Sequence, residues 1–90
     1  MSWFVYMIRC SDASLYAGVT TDVERRFKEH KEGGKIGAKY TRAKIPLRVV
    51  YIEPCNSRSE AQIKEAKFKK MKKEEKEALV KAYTKSHPKN

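Results

Sequence analysis

Five side chains in the sequence have the types that are needed to cleave a phosphodiester bond. They are two phenols, a guanidinium, an imidazole and a carboxylate, at Tyr6, Tyr16, Arg26, His30 and Glu65. A guanidinium can hold a phosphate through two hydrogen bonds, and an imidazole can move a proton at neutral pH. A single carboxylate can hold one Mg²⁺ or Mn²⁺ ion that keeps several of its waters. This set therefore indicates hydrolysis of a nucleic acid backbone.

The overall charge indicates the same class of partner. The 90 residues contain 21 Lys and Arg against 11 Asp and Glu, which gives a formal net charge of +10. A basic excess of this size attracts a polyanion through counterion release, without any sequence preference. The alternative is a surface that is charged for solubility alone. We expect a nucleic acid, because such an excess is its usual electrostatic footprint.

The composition predicts a cytoplasmic protein with no membrane span. The start of the sequence does not resemble a signal peptide, and no apolar stretch approaches the roughly 20 residues that a span requires. Cys10 and Cys55 are expected to remain thiols in a reducing compartment. A zinc site that joins them to His30 and His87 has no close ligand pair such as CxxC to support it.

Three segments predict the strands that would position the first two candidates. Residues 3–10 form a continuous apolar and aromatic run, which is typical of a strand covered on both faces. Residues 15–20 follow a short turn segment and complete a hairpin, and residues 47–52 are rich in β-branched and aromatic side chains. Gly18 lies inside the second strand, where a glycine often marks the close approach of another group.

The register of the hairpin decides whether Tyr6 and Tyr16 can share a site. If Cys10 pairs with Leu15, the two phenols face opposite sides of the sheet. A loop with an odd number of residues, or a bulge, puts both on one face. The sequence leaves both alternatives open, and a shared active site requires the second.

The first predicted helix carries the guanidinium and the imidazole. Thr21 and Glu24 have the spacing of a capping box with Thr21 as the N-cap, and the helix is expected to end near residue 32, before two glycines. Arg26 and His30 are four residues apart, so they share a row beside the buried one. We expect both to line a cleft at the edge of the core.

Two further helices are predicted, over residues 58–71 after a second capping box formed by Ser57 and Glu60, and over residues 73–83. The first carries Glu65 in one row with Ala61 and Phe68. A carboxylate in such a row needs a partner, because burying it unpaired is costly. A divalent ion and one of the surrounding lysines are both suitable partners, and burial alone does not distinguish them.

The predicted order β-β-α-β-α-α gives an α+β fold, in which helices flank a three-stranded, mostly antiparallel sheet. We expect one domain over residues 1–83, with a frayed tail over residues 84–90. The chain is expected to be a monomer or a weak dimer.

The candidate residues also stand in the register of a known family. Phe4-Val5-Tyr6 and Tyr16-Ala17-Gly18 resemble the paired GIY and YIG signatures of the GIY-YIG nuclease superfamily, and Arg26 and His30 lie at the family's distances beyond the second signature. Residues 60–65 resemble its EAxxxE element, and residues 37–41 resemble the connecting segment of its small stand-alone bacterial members. The resemblance covers residues 3 to about 72.

This resemblance implies hydrolysis of DNA, with one Mg²⁺ or Mn²⁺ ion on Glu65 and no small-molecule cofactor. Arg26 would grip the phosphate, while Tyr6, Tyr16 and His30 would orient and deprotonate water or protonate the leaving oxygen. The resemblance does not identify which of them is the base. Branched or damaged DNA, met in repair or recombination, is the candidate substrate.

Six cations are expected to contact the nucleic acid backbone: Arg25, Lys39, Arg42, Lys69, Lys70 and Lys73. Two other functions remain open on the same scaffold. One is a binding module for DNA or structured RNA that does not cleave, and the other is an RNA-associated or ribosome-associated protein whose lysines provide most of the binding.

Overall fold

The computed structural model describes residues 2–32 and 46–87. Within them, one sheet contains three strands and three helices pack on it. The strands are β1 (Trp3–Cys10), β2 (Leu15–Thr20) and β3 (Pro46–Cys55), and the helices are α1 (Val23–Lys31), α2 (Arg58–Lys70) and α3 (Lys73–Ser86). The predicted α+β order β-β-α-β-α-α is confirmed.

β1 is the central strand of the sheet, which has the order β2-β1-β3 with both pairings antiparallel. Its apolar run is explained by this position, since side chains on both faces of a covered central strand are buried. Val5, Tyr6, Met7 and Ile8 are each no more than 1% exposed.

Two hydrophobic clusters lie on opposite faces of β1. Tyr6, Ile8 and Cys10 pack with Val23 and Phe27 of α1 on one face. The other face of β1 packs against α2 and α3 through a larger cluster, whose buried members are Val5, Met7, Ala17, Val50, Cys55, Ala61, Phe68 and Val80. Cys10 and Cys55 are buried and form no disulfide with each other, and each belongs to a different cluster.

The hairpin register places both signature phenols on one face. Tyr16 pairs with Ile8, and Gly18 pairs with Tyr6. Since Arg9 pairs with Leu15, five residues connect the last paired positions, which is an odd number. Tyr6 and Tyr16 therefore both lie on the α1 side of the sheet, which is the alternative that a shared site requires.

β3 is longer than the predicted 47–52, because it pairs with β1 along the whole length of that strand. Register irregularities between Met7 and Ile8 and between Arg9 and Cys10 let the two strands keep pairing. Pro54 is tolerated near the end of β3 because this strand forms an edge of the sheet.

The first helix begins one residue later than predicted. Asp22, not Thr21, is the N-cap: its backbone is extended, with φ −145°, and its carboxylate accepts a hydrogen bond from the N–H of Arg25. The reason lies in the preceding residue, since Thr20 Oγ1 accepts the N–H of Asp22 and extends the turn. Ser57 is the N-cap of α2 as predicted, although the Glu60 carboxylate accepts the N–H of Asn56 instead of closing a strict capping box.

The last helix continues to Ser86, three residues past the end predicted at residue 83, while the frayed tail stays a prediction. Thr84 donates its hydroxyl to the carbonyl of Val80, and the N–H of His87 bonds to the carbonyl of Tyr83. These bonds continue the helical pattern past the predicted end. Residues 33–45, the glycine- and lysine-rich segment between α1 and β3, lie outside the described residues.

Candidate active site at the edge of the sheet

The phenol of Tyr6 lies over Gly18 of the edge strand β2. A Cβ added at Gly18 would lie 2.5 Å from the Tyr6 oxygen and 2.7 Å from the ring carbon that bears it. No real side chain could occupy that position without moving the ring. The glycine of the second signature therefore gives the Tyr6 hydroxyl its path from the central strand to the sheet edge.

His30 joins the two phenols. Its Nε2 atom lies 3.2 Å from the Tyr6 oxygen, and its ring meets the Tyr16 ring at 5.1 Å between centroids in an edge-to-face arrangement. α1 brings His30 here because its buried side faces the β1 cluster, and the imidazole is only 6% exposed. Both predicted phenols and the predicted imidazole thus meet on one face of the sheet.

The surroundings fix the protonation of this pair. Burial raises the pKa of the Tyr6 phenol to about 12; the neighbouring Arg26 guanidinium opposes this rise, and the charges of Tyr16 and Glu65 add to it. Burial also lowers the pKa of His30, and the positive charge of Arg26 lowers it further while Glu29 opposes it. At neutral pH the site therefore contains an un-ionised phenol beside an uncharged imidazole.

The Arg26 guanidinium adjoins this pair, and the hydrogen bond and charge that it offers to Tyr6 oppose the rise in the pKa of the phenol. Its Nη1 atom lies 3.4 Å from Glu29 Oε1, on the outer side of α1. Its Nε atom is buried and has no hydrogen-bond partner among the described residues. An unsatisfied buried donor is costly, so this N–H favours any acceptor that can reach it, such as a phosphate oxygen.

Glu65 approaches from the opposite face of the sheet. It lies on α2, which packs on the face of Val5 and Ala17 and contacts β2 as well as β1. Its side chain is 23% exposed, and its Oε2 atom lies 3.3 Å from Lys69 Nζ. The lysine partner considered from the sequence is therefore present. The negative charge of Glu65 makes a small contribution to the raised pKa of Tyr6.

The predicted phosphate contacts occupy different environments. Lys73 donates to the carbonyl of Ala13 at 2.8 Å and so ties the hairpin loop to α3, while Lys70 is exposed. Arg25 is exposed and lies 4.0 Å from Glu29. Lys69 is the partner of Glu65, and Lys39 and Arg42 lie outside the described residues.

Two contributors to the site were not assigned from the sequence. Glu29 pairs with Arg26 and Arg25, and the three- and four-residue helical spacings could have indicated this. Gly18 was recognised as a point of close approach, but the approaching group is Tyr6 of the neighbouring strand, which only the register identifies.

The donor set fits one divalent ion that keeps most of its waters. Among residues 2–32 and 46–87, no group of three or more His, Cys, Asp or Glu side chains is arranged to hold a metal. Glu65 supplies one partly exposed carboxylate, which suits a divalent ion such as Mg²⁺ or Mn²⁺ but not a four-ligand zinc site. In the described part of the chain, no helix is both long enough and apolar enough to span a bilayer.

Known proteins resemble this chain in sequence and in fold. The chain is 46% identical over 81 residues to a UPF0213 protein of Desulfotalea psychrophila, covering 90% of this chain and 73% of that one. It is 50% identical over 78 residues to a UPF0213 protein of Cronobacter sakazakii, covering 87% and 80%. The solution structure of the UPF0213 protein BH0048 from Bacillus halodurans matches with a TM-score of 0.58 and 38% identity over the whole of both chains.

The match to a family extends over most of the sequence. The family described as the GIY-YIG catalytic domain matches residues 2–78, which include all five candidate residues. This family has a nuclease fold and generally uses divalent metal ions. The chain therefore belongs to the GIY-YIG family, among its small stand-alone UPF0213 members.

Proposed function

We propose that this protein is a metal-dependent endonuclease that hydrolyses phosphodiester bonds of DNA. The observation that carries the proposal is the junction of the Tyr6 hydroxyl with His30 Nε2 at 3.2 Å, beside the unpartnered buried N–H of Arg26. A proton-transfer pair next to a free phosphate donor is the arrangement that phosphodiester hydrolysis requires.

Arg26 would bind the scissile phosphate. Its Nε donor has no partner among the described residues, and its other side is held by Glu29 at 3.4 Å. A guanidinium that is fixed on one side can offer the remaining donors in a defined direction. Charge-assisted hydrogen bonds from these donors would strengthen as negative charge develops on the phosphate oxygens.

The Tyr6–His30 pair would accept the proton of the attacking water. With its pKa raised to about 12, the Tyr6 phenol is protonated at neutral pH and acts as a donor rather than as a free phenolate. The lowered pKa of His30 keeps its imidazole uncharged and able to accept a proton. A proton can thus pass from water to His30, directly or through the Tyr6 hydroxyl, while Tyr16 restrains the imidazole ring.

Glu65 would hold the divalent ion. A bound Mg²⁺ or Mn²⁺ supplies charge neutralisation and activation of water at the phosphate. The Glu65 carboxylate itself is positioned by α2, on the face opposite to the phenols, and its charge is felt by Tyr6. Branched or damaged DNA remains the proposed substrate, with Arg25, Lys69 and Lys70 as candidate backbone contacts.

The pairing of Glu65 with Lys69 favours a second candidate function, a nucleic-acid-binding module that does not cleave. In that case the carboxylate would serve only as the structural partner of a lysine. DNA or structured RNA would then be bound by the basic surface alone.

The test is nicking of supercoiled, branched and nicked duplex DNA in Mn²⁺ or in EDTA. We expect metal-dependent cleavage that is lost in Arg26→Gln and Glu65→Gln and retained in Glu74→Gln, which removes an exposed acid of α3. Binding of DNA or structured RNA without cleavage by any variant would reject the endonuclease and support the silent module.

A further inference from the structure

Two lysines of α2 form ion pairs with carboxylates, and the two pairs differ in exposure and in the elements that they join. Lys64 pairs with Glu53 of β3, which also accepts the hydroxyl of Tyr51, and both charged side chains are about equally shielded at 30% and 31% exposed. Glu65 and Lys69 are unequal: the carboxylate is 23% exposed, while the lysine is 57% exposed. The first pair joins two elements of the fold, whereas the second joins consecutive turns of one helix.

Because both members belong to one helix, the Glu65–Lys69 pair adds nothing to the packing of α2 on the sheet. Its lysine is mostly in solvent, on a flexible four-carbon stem. Its carboxylate, in contrast, is mostly shielded from solvent, and the ammonium of Lys69 lies 3.3 Å from it. Because the lysine is the more exposed of the two, a dissolved cation can compete with it for the carboxylate.

We propose that Lys69 is an internal counter-ion of Glu65, which a divalent ion displaces and which then binds a phosphate of the nucleic acid. The inference rests on the proposed function, because that function assigns the metal to Glu65. It makes Lys69 a coupling residue: metal binding releases one positive charge for the substrate, and substrate binding removes one competitor of the metal.

A divalent ion can readily displace Lys69 from the Glu65 carboxylate. An ammonium and a dication on one carboxylate repel each other, so the two occupy it in turn. Exposed pairs with this helical spacing are weak, so a divalent ion does not face a strong competitor. Since Lys69 and the metal exclude each other, linkage requires that metal and nucleic acid favour each other's binding.

The first test measures Mn²⁺ binding by calorimetry in the full chain without DNA. We expect Lys69→Gln to bind Mn²⁺ several-fold more tightly than the unmodified protein. The matched control is Lys67→Gln, which removes an exposed charge from the same helix without touching the pair. If Lys69→Gln and Lys67→Gln change the affinity equally, Lys69 is not a specific competitor and the inference is overturned.

The second test measures binding of a labelled DNA duplex in EDTA, where no cleavage occurs. Glu65→Gln releases Lys69 without metal, so the salt dependence of log K should steepen by about 0.9, which corresponds to one added phosphate contact. In the Lys69→Gln background this change should disappear, and in the Lys67→Gln background it should persist. Equal changes in both backgrounds would mean that Glu65 acts only through general charge, against the inference.

The outcomes also separate this inference from the proposed function. Mn²⁺ binding that is abolished by Glu65→Gln but unaffected by Lys69→Gln would support the metal site and overturn the counter-ion. Absence of Mn²⁺ binding in every variant, together with absence of cleavage, would overturn the proposed function and the inference with it.

Discussion

Replacement of Gly18 by alanine tests the arrangement of the site most directly. The added Cβ would lie 2.5 Å from the Tyr6 oxygen and 2.7 Å from its ring carbon, whereas ordinary contacts begin near 3.4 Å. The ring would therefore have to withdraw by about 1 Å, and Tyr6 is 1% exposed, so it has little free space to enter. A movement of this size would also disturb the 3.2 Å contact between Tyr6 and His30.

Two effects of opposite sign act on the stability of Gly18→Ala. Alanine loses less chain entropy than glycine, which would stabilise the strand by about 0.5–1 kcal/mol. Overpacking in a filled core costs about 1–3 kcal/mol. We expect the second effect to win, with a net loss of about 1–2 kcal/mol in the free energy of unfolding and a larger loss of cleavage, about 100-fold, from the misplaced phenol.

Urea denaturation and the Mn²⁺ nicking assay measure the two effects separately. The matched control is Val19→Ala in the adjacent position, whose side chain packs on the other face of the sheet. It should lose about 1 kcal/mol of stability and keep the cleavage rate of the folded protein. A Gly18→Ala variant that is more stable than the unmodified chain and cleaves at the normal rate would refute the path assigned to Tyr6.

Three further predictions concern stability. Ala13 has a φ of 71°, a left-handed conformation that is unfavourable for alanine. Ala13→Gly should therefore raise the free energy of unfolding by about 0.5–1 kcal/mol, measured by urea titration. A variant that is less stable than the unmodified chain would contradict this. His30 has a lowered pKa in the folded chain, so the unfolded chain binds more protons below pH ~6.5 and stability should rise with pH up to that value. Denaturation at several pH values should show this rise flattened in His30→Gln but not in His87→Gln, which replaces an exposed histidine. Arg9 forms a two-bond ion pair with Glu77, so Glu77→Gln should cost about 1 kcal/mol, measured by urea denaturation, and an unchanged midpoint would show that the pair contributes nothing.

The strands and most of the helix boundaries were predictable because their signals are local. The apolar run of β1 and the cap of α2 at Ser57 each depend on a few neighbouring residues. The start of α1 was predicted one residue early, with Thr21 as the N-cap instead of Asp22. Thr20 and Asp22 both offer side-chain oxygens to this turn, and sequence spacing alone does not decide which of two adjacent residues, Thr21 or Asp22, begins the helix.

The sequence indicated the candidate residues but not how they come together. The types and spacings of the residues indicated the phenols and the imidazole, and the register then showed that they share one face. The approach of Glu65 from the opposite face depends on how α2 packs, whereas its pairing with Lys69 follows from the four-residue helical spacing. Contacts such as Arg9 with Glu77, which are 68 residues apart, have no local signal.

Because the proposed site draws its parts from both faces of one sheet, neither hydrophobic cluster can complete it alone. Loss of α2 from the sheet would remove the acid and leave the phenols in place, and loss of α1 would remove the imidazole and the guanidinium. Under the proposed function, a partly folded chain would therefore be inert, and cleavage of nucleic acid would be restricted to the native state.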